Sequence, residues 1–125
     1  MKDGELFMPY GSPGNDMQPQ AMVQALLNMS VFGMDPQSAV EAPRLGSYSY
    51  IASSEPHAYH PGRLTLDGRL PRTTGADLSA RGHDVNWWPD LAWAAGSVCA
   101  IMRDPKTGVM HTGADPRRCA YALGW

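Results

Sequence analysis

The chain is predicted to fold as an α+β domain built mainly around antiparallel sheet with flanking helices. Two segments, 97–103 and 109–112, flank the turn-rich run Asp104-Pro105-Lys106-Thr107-Gly108, a connection of hairpin length. Upstream, two helical patterns follow each other closely, and short strand-like runs lie before and after them. At 125 residues the chain has the length of one domain and carries no internal repeat.

Leu6-Phe7-Met8 reads as a short strand entering the bend Gly11-Ser12-Pro13-Gly14-Asn15. Asp16 is placed to cap the helix that follows, Pro19 falls in its first turn, and Met22, Val23, Leu26 and Leu27 form an apolar stripe. Gly33 supplies its stop. A second helix is expected from Asp35, with Pro36 at its first position, ending before Pro43.

Between Arg44 and Pro71 the chain is rich in Ser, Tyr, Pro and Gly, with strands suggested at 48–51 and 63–66. Thr73 or Thr74 is expected to cap a helix running through Leu78 and Ala80 to Gly82, before an extended segment at 83–88.

Twelve acidic and ten basic residues are mixed along the sequence, giving a net charge of −2. No Lys/Arg run is present to neutralise a row of phosphates, which argues against nucleic-acid binding. The longest apolar stretch, 91–102, is interrupted by Gly96 and Ser97 and is much shorter than the ~20 residues of a membrane span. The first residues lack the apolar run of an export signal. Cys99 and Cys119 read as two unpaired thiols, since neither disulfide-scaffold density nor zinc spacing is met.

The glycine-rich bend is the segment best suited to chemistry, because backbone N–H groups in such a turn at a helix start converge on an anionic oxygen. An ordinary strand-to-helix turn is the plainer account of the same residues. Ser12 lies outside any Gly-x-Ser-x-Gly elbow, and no His or Asp is tied to it by spacing. His57, His60, His83 and His111 lack metal-ligand spacing and read as loop or surface residues. Asp115-Pro116-Arg117-Arg118 offers a carboxylate or guanidinium to a site, with an ion pair closing the C-terminal segment as the preferred account; Trp87, Trp88 and Trp93 offer pocket lining, with packing preferred.

Taken together, several segments resemble the γ-glutamyltransferase family: Lys2-Asp3-Gly4, the run from Gly11 through Gln20, Phe32-Gly33-Met34-Asp35-Pro36-Gln37 and Ala42-Pro43-Arg44. The resemblance continues through Leu78, Arg81-Gly82-His83, Gly96-Ser97, the Asp104 to Gly108 turn, Ala114-Asp115-Pro116-Arg117 and Gly124-Trp125. It implies that residues 1–125 are the C-terminal part of the small subunit of an N-terminal-nucleophile hydrolase, with an αββα sandwich fold and without a complete catalytic domain. In that family a self-cleaved chain exposes a threonine that attacks a γ-glutamyl amide such as glutathione, forms an acyl-enzyme, and passes the acyl group to water or an acceptor.

The family's oxyanion glycines match Gly14 and Asn15, with Ser12 and Pro13 as the adjoining substrate loop. Asn15 keeps the backbone N–H but adds a side chain. The resemblance implies no cofactor and no metal. It implies three partners: the upstream small-subunit segment that carries the nucleophile, the large subunit, and a γ-glutamyl small molecule. Neither nucleic acid nor membrane is among them. Relatives are often periplasmic or secreted. On this reading Met1 begins just downstream of the family's paired serines, the isolated chain is inactive, and its uncovered sheet edges favour self-association. A noncatalytic remnant or binding module, and a related amidohydrolase of the cephalosporin-acylase kind, are the alternatives.

Overall fold

A computed structural model describes residues 4–5 and 7–124. Its elements are β1 (Tyr10–Gly11), α1 (Met17–Ser30), α2 (Pro36–Glu41), β2 (Leu45–Ser47), β3 (Arg63–Leu66), α3 (Arg72–Ala80), β4 (Asp84–Trp87), β5 (Cys99–Arg103) and β6 (Met110–Ala114), with one 3-10 turn at Trp93–Ala95. They form two three-stranded sheets, ordered β1-β5-β6 and β2-β3-β4. The first is wholly antiparallel. In the second, β2 and β3 are antiparallel but β3 and β4 run parallel, joined through α3. The fold is α+β and mainly antiparallel, as expected, with one parallel pair. A strand, helix, strand crossover allows parallel pairing, and the helical pattern at 72–80 supplies one here.

The hairpin forms with Ile101 opposite Thr112. Its turn is held by Asp104, whose carboxylate accepts the Lys106 N–H at 2.8 Å and the Thr107 hydroxyl at 2.9 Å. The first strand is displaced from its expected place. Among the described residues the ladder is regular at Tyr10 and Gly11, and the Phe7 and Pro9 carbonyls carry it further by accepting from Arg103 and Ile101 of β5. Pro9 has no N–H to return, so the ladder is interrupted there. Leu6, Lys2, Asp3 and Trp125 lie outside the described residues.

Helix α1 packs differently from the stripe read in the sequence. Its buried ridge is Met17, Ala21, Ala25 and Met29, four residues apart, while Val23 and Leu27 are 48% and 43% exposed. Met22 and Leu26 only flank the core. Small alanines let the helix come close to the chain beneath it, whereas side-chain size pointed to the wrong face. Asp16 does not cap α1: its carboxylate accepts the Ser53 N–H at 2.8 Å instead. Asp35 does cap α2, taking the Ser38 N–H at 3.0 Å, with Pro36 at the first position. Neither Thr73 nor Thr74 caps α3, because both lie inside it and Pro71 precedes it.

The strand expected at 48–51 forms earlier, at Leu45–Ser47, while Ile51 makes an isolated bridge to Tyr59. Glutamine side chains fix that placement. Gln20 and Gln24 of α1 each pair with both the N–H and the C=O of a β2 residue, Ser47 and Leu45 respectively, at 2.7 to 3.0 Å. They act as the strand that the β2 edge lacks.

A buried ionic cluster ties the sheets together. Arg44 contacts Asp115 at 2.6 Å, Arg117 contacts Asp115 at 3.1 Å and Asp67 at 2.9 Å, and Arg69 contacts Asp67 at 2.8 Å. The expected C-terminal ion pair is therefore one part of a larger network. Burial raises the Asp67 carboxyl, but hydrogen bonds from Arg69 and Arg117 outweigh it and hold the group at about 2.

Candidate oxyanion loop and its pocket

The bend after β1 is positioned from below. Ala21 of α1 lies under Gly96, where an added Cβ would come within 2.9 Å of the Ala21 methyl. This close approach, with Gly96 at φ +79, brings the 96–97 segment against the bend, and the Ser97 N–H donates to the Ser12 hydroxyl at 3.3 Å. Ser12 itself donates to the neighbouring Pro13 carbonyl at 3.2 Å. No histidine contacts it, so it has the bonding of a loop brace rather than of a nucleophile.

Gly14 turns the chain at φ +137, a conformation L side chains rarely adopt. Its carbonyl is taken by the Gln18 side chain at 2.9 Å, and the Asn15 carbonyl by the Gln18 N–H at 2.8 Å. The carbonyls are thus tied back toward α1. The Gly14 and Asn15 N–H groups donate to no other group among the described residues. Asn15 is not among the residues with positive φ, so its side chain imposes no left-handed strain on the bend.

An open pocket of about 410 Å³ lies on this bend. Pro13, Gly14, Asn15 and Asp16 form one wall. The remaining lining comes from Tyr48, Tyr50 and His60 of the irregular middle, and from Trp93, Gly96 and Arg118. Burial raises the Tyr48 phenol above its ordinary value, against a hydrogen bond with Trp88. Tyr50 is raised by burial and then by the nearby Asp16 charge. Asp16 is held below the usual carboxylate range by its hydrogen bonds with Ser53.

The expected loop residues Ser12, Pro13, Gly14 and Asn15 are therefore contiguous around one pocket edge, with Ser12 as the brace behind it. Sequence reasoning did not place His60, Tyr48 or Tyr50 at a site, and it preferred an ion pair for Arg118 and packing for Trp93. Trp93 is 66% exposed, and its ring carries the Arg118 guanidinium 3.8 Å from the centroid. No spacing rule links these positions, and only the consecutive pair Arg117-Arg118 carried a signal. Trp87, half-buried, packs against Gly75, as expected of a packing aromatic, and carries the Arg72 guanidinium 3.9 Å from its ring centroid. Cys99 and Cys119 are both free and exposed, and no group of three His, Cys, Asp or Glu able to hold a metal occurs among the described residues.

The α+β framework, with one antiparallel and one mixed sheet, matches that of N-terminal-nucleophile hydrolase structures. The chain belongs to the gamma-glutamyltranspeptidase family, whose model matches residues 1–125. It is 32% identical to an oxamate amidohydrolase proenzyme of Klebsiella pneumoniae, a match covering 100% of this chain and 22% of that protein. To a glutathione hydrolase-like proenzyme of Bacillus subtilis it is 31% identical, over 98% of this chain and 22% of the relative.

Among solved structures, cephalosporin acylase from Bacillus halodurans superposes with a TM-score of 0.83 at 30% identity, covering 100% of this chain and 21% of that one. A gamma-glutamyltranspeptidase from Pseudomonas nitroreducens, at TM-score 0.77 and 22% identity over 100% of this chain and 58% of that one, shares the fold. The chain spans about a fifth of the length of the curated relatives it matches.

Proposed function

We propose that residues 1–125 form the oxyanion-binding wall of a γ-glutamyltransferase-like acyl-transfer site whose nucleophile is carried by other residues. The carrying observation is that Gly14 and Asn15, whose N–H groups donate to no other group among the described residues, line a pocket at the start of α1. An amide carbonyl seated there gains negative charge as it becomes tetrahedral, and two fixed donors stabilise that charge more than they stabilise the planar carbonyl. The first turn of α1 adds the positive end of its dipole.

In this reading the loop binds and polarises, and an N-terminal threonine supplied elsewhere in the polypeptide attacks and holds the acyl group until water or an amine takes it. The donor is a γ-glutamyl amide of the glutathione type. Residues 1–125 are then a C-terminal small-subunit segment that needs upstream small-subunit and large-subunit segments, and is inactive alone. The similarity to an oxamate amidohydrolase and a cephalosporin acylase at 32% and 30% identity favours a second reading, hydrolysis of another small amide on the same scaffold.

The test is release of aniline from a γ-glutamyl anilide by residues 1–125 alone and joined to upstream family segments, beside a panel of other amides. Turnover is expected only in the joined form, with Gly14→Ala lowering kcat about a hundredfold or more. Turnover by the lone chain, or a joined enzyme indifferent to Gly14→Ala, overturns the proposal.

A further inference from the structure

We infer that Arg118, laid on Trp93 beside the Gly14 bend, is a carboxylate-recognising residue of this pocket and takes the acid group of a small carboxylate-bearing amide. The inference rests on reading the pocket as an acyl-transfer site and adds to it the charge of the substrate.

The first support is the distribution of charge. Buried Arg44 and Arg117 and half-buried Arg63 and Arg103 each pair with a carboxylate: Asp115, Asp115 with Asp67, Asp84 and Glu5. Arg118 is half-buried too, yet it pairs with no carboxylate among the described residues, and its Nε is enclosed without a hydrogen bond. Arg44 and Arg117 also leave Nε unbonded, but their other nitrogens are covered by carbonyls and carboxylates. An N–H enclosed without an acceptor is costly, and the two Nη groups make no hydrogen bond among the described residues, so the cationic end is left for a ligand carboxylate. Asp16, the acidic residue of the lining, is engaged by the Ser53 N–H and makes no ion pair with Arg118.

The second support is placement. The guanidinium lies 3.8 Å from the Trp93 ring centroid, which holds it in place, and its two Nη groups, unbonded among the described residues, are left for an end-on two-point grip. Its Nη2 stands 3.7 Å from where a Cβ on Gly14 would be. A carboxylate on Arg118 and a carbonyl on the Gly14 and Asn15 amides are therefore close neighbours, which places the acid group and the polarised amide in one small molecule.

The test is an NMR titration of the 125-residue chain with N-acetylglycine and, separately, with N-acetylglycinamide, which differ only in the acid group. N-acetylglycine is expected to shift the Arg118 Nε–H, the Trp93 indole N–H and the Gly14 amide, and to bind about tenfold more tightly than the neutral compound. Arg118→Gln should abolish that preference, and Arg118→Lys, which keeps the charge but not the planar fork, should reduce it several-fold. Equal responses to acid and amide, or an undiminished preference in either variant, overturn the inference. If Arg118→Gln loses its dispersed amide spectrum, Arg118→Lys decides. No bond is broken in this experiment, so a preference for the acid beside a failed turnover assay overturns the acyl-transfer reading alone.

Discussion

Gln37 closes on the backbone of Ala114 with two hydrogen bonds, its Nε2 donating to the carbonyl at 3.0 Å and its Oε1 accepting the N–H at 2.9 Å. Ala114 ends β6, the outer strand of its sheet, so α2 completes this edge as Gln20 and Gln24 complete β2. Gln37→Leu is expected to cost about 1–3 kcal/mol, because it strips partners from a half-buried backbone group on each side. It should also raise self-association by freeing the edge. Urea denaturation and sedimentation velocity check the two effects separately.

Removing one partner of the Arg44 and Asp115 pair leaves a buried charge alone. Asp115→Ala also strands the Val98 N–H and takes from the Arg117 guanidinium one of its two carboxylates, both groups donating to Asp115 at 3.1 Å. A loss of about 3–5 kcal/mol is expected, enough to unfold a marginal domain. A variant whose thermal midpoint stays within a few degrees of the parent would contradict it.

Acid should unfold the protein in a window set by Asp67. Its carboxyl titrates at about 2 in the folded chain against an ordinary 3.8. A depressed folded value contributes stability that is complete above the ordinary value and declines as pH falls from about 4 toward 2. Asp67→Asn should be less stable at neutral pH and flatten the profile across that interval, as read from urea midpoints at successive pH values.

Asp16 and Asp35 precede successive helices but do different work. Asp35→Ala removes a cap from α2 and should cost about 1 kcal/mol. Asp16→Ala instead releases the Ser53 N–H, so hydrogen exchange should rise at Ser53 and its neighbours while α1 amides keep their protection. Faster exchange along α1 would restore the capping role that its sequence position suggests.

Local chemistry carried much of the fold into the sequence. Pro36 after Asp35, the Asp104 to Gly108 turn between apolar runs, and Gly33 after a helical pattern act within a few residues, so their elements could be recognised in order. The bend at Gly14 was legible for the same reason, since its shape is set by consecutive residues. Face selection in α1 was not, because the burial of Ala21 depends on how near Gly96 approaches.

Sequence alone thus determined the helices, the hairpin, the family and the bend that presents two N–H groups. Tertiary structure decided which helix face is buried, how glutamines close the sheet edges, and that Arg118 meets Trp93 beside Gly14. The physical reason is range. Caps, turns and backbone angles are set by neighbours along the chain, whereas an ion pair or a pocket wall exists only after distant segments have been brought together by packing.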